Sequence, residues 1–149
     1  MNKEFVLRGK TASGQTEVLN FSGNKPGYAY RLTEFELYPS TGIGAGNNEL
    51  CGTITAGKTA VAPTDPNFND EGLIGTAIST QYSSPAYPPG YRTIVNDTFL
   101  ITQNLILMVQ DTDPSAGAPI NWQCRFKAVK MDGSEEAAAN YKQFTIFDG

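Results

Sequence analysis

Gly52 to Thr59 reads GTITAGKT and meets the full G-x-x-x-x-G-K-[ST] spacing of a phosphate-binding loop. Farther on, Leu105 to Asp111 (LILMVQD) offers an apolar strand ending in an acid, the element that completes a nucleotide site. That chemistry needs a helix opening directly behind the lysine, so that its first amides face the phosphates. Ala60-Val61-Ala62-Pro63 follows instead, and Pro63 with Pro66 forbids such a helix. The stretch is expected to be a strand ending at a glycine turn.

Asp65-Pro66-Asn67-Phe68-Asn69-Asp70-Glu71 places oxygen ligands at alternate positions, as a calcium loop does. Asp70 stands where the sharp-turn glycine belongs and Thr76 where a bidentate acid belongs, which rules out an EF-hand. A looser Ca²⁺ cage from Asp65, Asn67, Asn69, Asp70 and Glu71 is the alternative to a solvated acidic turn. The chain has no histidine, which removes Ser-His-Asp and Cys-His nucleophile pairs and most zinc sites. Glu34 with Glu36, Asp111 with Asp113, and Glu135 with Glu136 remain as carboxylate pairs. Glu34 and Glu36 share a strand face that reads as solvated, and Asp beside Pro114 is common for turn reasons alone. No convergent titratable cluster emerges, so neither an enzyme nor a cofactor is expected.

The aromatic loops offer a different chemistry. Tyr82, Tyr87 and Tyr91 flank Pro85, Pro88 and Pro89, and Phe68 sits on the other long loop. Rigid, amphipathic Tyr on proline-stiffened loops suits a contact surface at small entropic loss. Such a surface could grip a protein subunit or stack on sugar rings. The competing reading packs these tyrosines over the end of their own fold.

These residues need elements to carry them. The chain has 149 residues, 40% hydrophobic and 17% charged, with 15 Gly and 9 Pro, which suits one loop-rich globular domain spanning 1–149. Its net charge of −4 and scattered 11 Lys and Arg argue against nucleic acid as a partner. No run reaches the ~20 apolar residues of a membrane span. The start MNKEFVLRGKTASGQ lacks signal-peptide character, so a soluble cytoplasmic product is expected and the sequons at Asn20 and Asn96 carry no meaning. Cys51 and Cys124 lie in apolar strand contexts and read as buried thiols, a bridge between them being the alternative.

Apolar patterning and turn signals predict strands over Lys3 to Lys10, Gln15 to Phe21, Tyr28 to Tyr38, Glu49 to Thr55 and Tyr91 to Val95; Leu73 to Tyr82 is open to strand or short helix, Leu73, Ile74, Ala77 and Ile78 fitting helical spacing, and its Thr and Ser content and surroundings favour strand. The apolar phase of Tyr28 to Tyr38 slips by one residue, predicting a bulge or bend near Thr33-Glu34, or a change of sheet. Leu105 to Val109 is apolar on both faces and reads as a strand covered on both sides. Trp122, Cys124, Phe126 and Ala128 alternate with Gln123, Arg125 and Lys127, which places Trp122 in the core. The two stretches read as a long hairpin at the centre of the fold. Ser134, followed by two acids and three alanines, predicts one short N-capped C-terminal helix. Phe144 to Phe147 alternates again as a closing strand or docking tail. The expected fold is all-β, an antiparallel β-sandwich of jelly-roll type.

The opening MNKEFVLRGKTASGQTEVLNF, the ELCGTITAGKTA strand-turn, and TFLITQNLILMVQD with INWQCRFKAVKMDG together resemble the small β-sandwich structural proteins of tailed-phage virions. Capsid decoration (cement) proteins and related tail parts are the members most similar in texture. The resemblance implies assembly in an infected bacterial cytoplasm, a homo-oligomer (often a trimer), and a place on the outer head lattice against the major capsid protein or other virion subunits. The Met1 to Phe5 arm, with Phe5, and the loops bearing Phe68, Tyr82, Tyr87 and Tyr91 would make the contacts. The alternative is a carbohydrate- or receptor-binding module stacking sugars on Tyr82, Tyr87, Tyr91 or Trp122, with Trp122 disfavoured by its place in the core.

Overall fold

The computed structural model describes residues 3–21, 27–41, 46–57, 59–84, 86–113, 118–131, 138, 139 and 142. Its strands are β1 (Glu4–Thr11), β2 (Gln15–Leu19), β3 (Tyr28–Pro39), β4 (Asn48–Thr55), β5 (Leu73–Gln81), β6 (Gly90–Val95), β7 (Leu105–Asp111) and β8 (Ile120–Lys130). They form two antiparallel sheets, β1-β8-β3 and β2-β7-β4-β5-β6, so the chain is all-β and sandwich-like. Ala138, Ala139 and Lys142 are helical, while the rest of the expected helix, the pair Glu135 and Glu136, and the Phe144–Phe147 stretch lie outside the described residues.

Alternation decides which side of each strand faces inward. Ile120, Trp122, Cys124 and Phe126 of β8 are buried and meet Leu105, Leu107 and Val109 of β7 within one continuous core. The expected β7–β8 hairpin is absent: β8 pairs with β1 and β3, and β7 pairs with β2 and β4. The same separation parts β1 from β2, whose short turn carries the chain from one sheet to the other. Two apolar faces that face each other across an interior have the same sequence pattern as two that lie side by side. The alternation therefore could not tell layer partners from ladder partners.

The phase slip in β3 is a bulge, with the register shifting between Leu32 and Glu34. The extra residue, Thr33, donates its hydroxyl to Arg125 O at 3.2 Å. It returns Phe35 and Leu37 to the buried side already used by Leu32, and β3 stays in one sheet.

The strand covered on both faces is β4, not β7. Leu50 and Ile54 face the core, while Thr53 and Thr55, on the opposite side, are also buried. The 56–72 loop folds back over them. Thr53 Oγ1 donates to Val61 O at 2.6 Å, Val61 N donates to Thr55 Oγ1 at 3.3 Å, and Ala56 N donates to Gly72 O at 2.7 Å. The outward residues of β7, Ile106 and Met108, are only half-buried.

Small residues admit the large ones. A Cβ on Gly9 would lie 2.6 Å from Trp122 Cζ2, and one on Gly75 would lie 2.8 Å from Leu32 Cδ2. Trp122 therefore lies flat across β1 and donates its indole N–H to Thr11 Oγ1 at 2.9 Å; Thr11 in turn donates to Glu17 Oε1 at 3.3 Å. This relay ties β8, β1 and β2 together at a buried polar point, where an unpaired group would be costly.

Candidate functional site

The two outer faces of the sandwich differ in character. On the three-stranded sheet the outward side chains include Glu4, Val6, Arg8 and Lys10 from β1, Asn121, Gln123, Arg125 and Lys127 from β8, and Arg31, Glu34, Glu36 and Tyr38 from β3. Arg125 and Glu34 approach to 3.4 Å with both side chains exposed, a contact worth at most about 1 kcal/mol. Charged and polar side chains predominate on this face, with Tyr38 exposed among them and Ala29 at one end buried with Met131 and Ala139.

The far side of β5 and β6 is built differently. Antiparallel pairing sets Ile78 opposite Arg92 and Thr76 opposite Ile94. Ile78 is 47% exposed and Ile94 45%, and the 56–72 loop brings Phe68, 62% exposed, to the rim of a shallow depression shared with Ile94 and Thr76. Edge strand β6 is exposed along most of its length. Large apolar side chains beside an open strand edge form a surface suited to burial against protein.

The aromatic residues expected to make contacts do not gather into one site. Phe68 joins the apolar patch. Tyr87, 64% exposed, stands against Tyr82 with ring centroids 5.8 Å apart on the β5–β6 loop. Tyr82 is half-buried and donates its hydroxyl to Glu49 Oε1 at 3.2 Å; burial first, then the Glu49 hydrogen bond, raises its pKa. Tyr91 lies on the other side of β6, with its hydroxyl 3.5 Å from Phe35 O. Burial, and secondarily the carboxylates of Glu36 and Glu34, raise its pKa. Phe5 is turned inward and half-buried, stacked on Phe126 at 5.5 Å and edge-on to Tyr30 at 5.3 Å. It serves the core, not an arm.

The oxygen-rich segment is organised as turns. Asn67 Oδ1 accepts from Asn69 N at 3.0 Å and Asp70 Oδ1 accepts from Gly72 N at 2.9 Å. Among the described residues no three acid, cysteine or histidine side chains converge where they could hold a metal ion. The phosphate-loop match lies on β4 and the bend after it, with the Thr53 and Thr55 hydroxyls bonded to Val61. Lys58 lies outside the described residues.

Asp111 is buried at the end of β7 and serves as a cap. Its Oδ1 accepts from Glu49 N at 3.1 Å and from Asp113 N at 3.0 Å. Asp111→Ala leaves both amides without this acceptor and is expected to lower stability by about 2–3 kcal/mol, whereas Asp111→Asn, which keeps an oxygen there, should lose about half as much in urea melts. Both cysteines are free thiols on opposite sheets, Cys124 facing the core and Cys51 the outer side of β4. Burial, with Asp111 adding to it, pushes the Cys51 thiol from 9.0 to about 11. Burial also pushes Cys124 up. The folded state thus keeps a proton that the unfolded chain releases, so this contribution to stability is complete below pH 9.0 and is lost as pH rises toward about 11. Cys51→Ala is expected to flatten that decline in melts taken across the same range.

Sequence reasoning missed Ile78, Ile94, Tyr38 and Asn48. Ile78 was hidden by a helix-or-strand ambiguity over Leu73 to Tyr82, which the register resolves, and Ile94 by its place in a short strand whose outer face the alternation alone does not mark as a contact surface. Tyr38 is 60% exposed and Asn48 is 5% exposed, a contrast with no counterpart in residue type. No protein-family model, curated protein or solved structure matches the chain.

Proposed function

We propose that this chain is a non-enzymatic virion structural protein, a capsid decoration protein that binds the outer head lattice and stabilises it through subunit–subunit contacts. The observation that carries the reading is the division between the two sheets. One outer face is mostly charged and polar, with Tyr38 exposed near its end, while the other presents Phe68, Ile78 and Ile94 beside an open edge strand. A passive assembly module needs that asymmetry, with a wet side turned to solvent and an apolar side for neighbouring copies and the major capsid protein.

The strand order supports a jelly-roll form of the sandwich. Winding a folded ribbon of eight strands places the first, eighth and third together and the second, seventh, fourth and fifth opposite, the order found in β1-β8-β3 and β2-β7-β4-β5. β6 departs from that scheme by extending the larger sheet. The short C-terminal helix belongs to the same reading, and helical Ala138, Ala139 and Lys142 support it. Closed homo-oligomers are the usual way such patches are satisfied, with a trimer favoured, and assembly would take place in the cytoplasm of the infected cell. Neither a membrane nor nucleic acid enters the proposal.

Light scattering on a sizing column tests self-association, and antibody labelling of intact virions tests the location. A discrete homo-oligomer and surface labelling are expected. A monomer at all concentrations, together with unlabelled particles, would refute the assignment.

A further inference from the structure

A sheet edge exposes unpaired N–H and C=O groups, and three of the four edges here carry a device that blunts them. β1 presents Glu4, Arg8 and Lys10 along its length. β2 is short and turns Glu17 inward, opposite Leu107, where it accepts from Thr11 Oγ1. β3 is closed at Tyr30, which exchanges both main-chain hydrogen bonds with Ile101 at 2.9 and 2.7 Å, and at Phe35, whose carbonyl accepts from Thr93 Oγ1 at 2.8 Å. β6, from Gly90 to Val95, has no lysine, no proline and no bulge, and it is exposed as far as Ile94.

The hydrogen bonds of the β5–β6 hairpin fix which groups are free. Gly90 N donates to Thr80 Oγ1 at 3.0 Å, Thr76 Oγ1 donates to Ile94 O at 3.5 Å, and Asn96 N donates to Ile74 O at 2.8 Å, so these residues aim their main chain at β5. Direction alternates along an antiparallel ladder, so the N–H and C=O of Tyr91, Thr93 and Val95 point away from β5. Among the described residues no main-chain partner meets them. This free trio is spaced evenly about Thr93. A second copy, turned by a half-rotation about an axis at Thr93, sets Thr93 against Thr93 and Tyr91 against the partner's Val95, giving about six main-chain hydrogen bonds. On the outer face the same register sets Arg92 against the partner's Ile94, where the arginine's aliphatic stem packs on an apolar neighbour. An axis at Arg92 would bring two like charges face to face, and an axis at Ile94 would leave Tyr91 opposite Asp97, beyond the strand.

We propose that β6 pairs antiparallel with β6 of a second copy across a two-fold axis at Thr93, joining the two larger sheets into one. Ile78 and Ile94 of both copies then lie along the seam with Phe68 at its rim, so strand pairing and the apolar face form a single interface. The inference rests on the assembly reading and supplies its geometry. Alone this contact gives a dimer, and joined to a trimeric ring it gives a hexamer.

The test is cross-linking by mild oxidation of Arg92→Cys and Ile94→Cys variants of the full chain, each alone and the two mixed. In the proposed register these positions form a non-hydrogen-bonded pair with Cα atoms about 4.5 Å apart, inside the disulfide range of about 4.4–6.8 Å. The native thiols of Cys51 and Cys124 are buried. A covalent dimer is expected from the mixture and from neither variant alone. Thr93→Pro removes an N–H that the β5 ladder does not use, so the subunit should fold while association weakens by at least about tenfold. Thr93→Val, which gives up the hydroxyl bond to Phe35 O and keeps the N–H, should still pair. An oligomer that gives no cross-link in the mixture, or that survives Thr93→Pro undiminished, overturns the pairing and leaves the assembly reading standing. A cross-link in either variant alone overturns the axis at Thr93. A chain that stays monomeric at every concentration overturns both the pairing and the assembly reading.

Discussion

Phe126→Ala is expected to remove about 3–5 kcal/mol of folding stability, the largest effect of any single side chain in the core. Phe126 is fully buried and stands at the centre of an aromatic group, 5.5 Å from Phe5 and 4.9 Å from Phe21 by ring centroids. Tyr30 closes the group at 5.3 Å from Phe5 and 5.2 Å from Phe21. The surrounding rings come from β1, β3 and the segment after β2, so the gap left by Phe126 on β8 is walled by three separate pieces of chain. Such a cavity cannot collapse without moving backbone, and the stacked contact with Phe5 and the edge-to-face contact with Phe21, about 0.5–1.5 kcal/mol each, are lost with it. Against the ~5–15 kcal/mol that holds a domain folded, the loss takes a large share. Phe5→Ala, at a half-buried edge position, should cost roughly half as much. Urea unfolding measures both, and a loss below about 1 kcal/mol for Phe126→Ala would contradict the packing described.

If the chain assembles as proposed, Ile94→Asp should disperse the homo-oligomer while leaving the subunit folded. Ile94 is 45% exposed on an edge strand, so an aspartate there stays in water in the free subunit and the melting temperature should hardly move. In an assembled interface the same carboxylate would be buried without a partner. Central apolar anchors of interfaces are worth about 2 kcal/mol or more, which weakens association by at least about thirtyfold. Arg8→Asp, on the charged face of the three-stranded sheet, is the matched control and should leave the oligomer intact. Light scattering over a concentration series separates the outcomes. An unchanged oligomer in Ile94→Asp would place the interface elsewhere.

Much of this fold was legible along the chain. The alternation of Trp122, Cys124 and Phe126 named a buried face correctly, because a strand facing a core on one side has no other way to arrange its side chains. The slip in phase between Leu32 and Phe35 announced the bulge at Thr33, since an even period interrupted by one residue must be absorbed by the backbone. Pro63 and Pro66 were enough to set aside the phosphate-loop match. The doubly apolar run Leu105 to Val109 was misleading, because half-burial on the outer side suffices to favour Ile106 and Met108 there. The buried outer face belonged to β4, whose threonines gave no hint of a loop lying over them.

The sequence by itself determined the strand content, the inward face of nearly every strand, the exclusion of histidine-dependent chemistry and the placement of Trp122 in the core. Those properties depend on local covalent geometry and on the partition of side chains between water and interior, both of which act residue by residue. Only the tertiary structure decided which strands are neighbours, that β6 joins β5 and leaves β3 partly open, and that Phe68, Ile78 and Ile94 share a surface. It alone turned the main chain of Tyr91, Thr93 and Val95 away from β5 as a free edge. Those outcomes depend on how two sheets twist and stack and on where long loops return, interactions between residues far apart in the chain that no window of sequence contains.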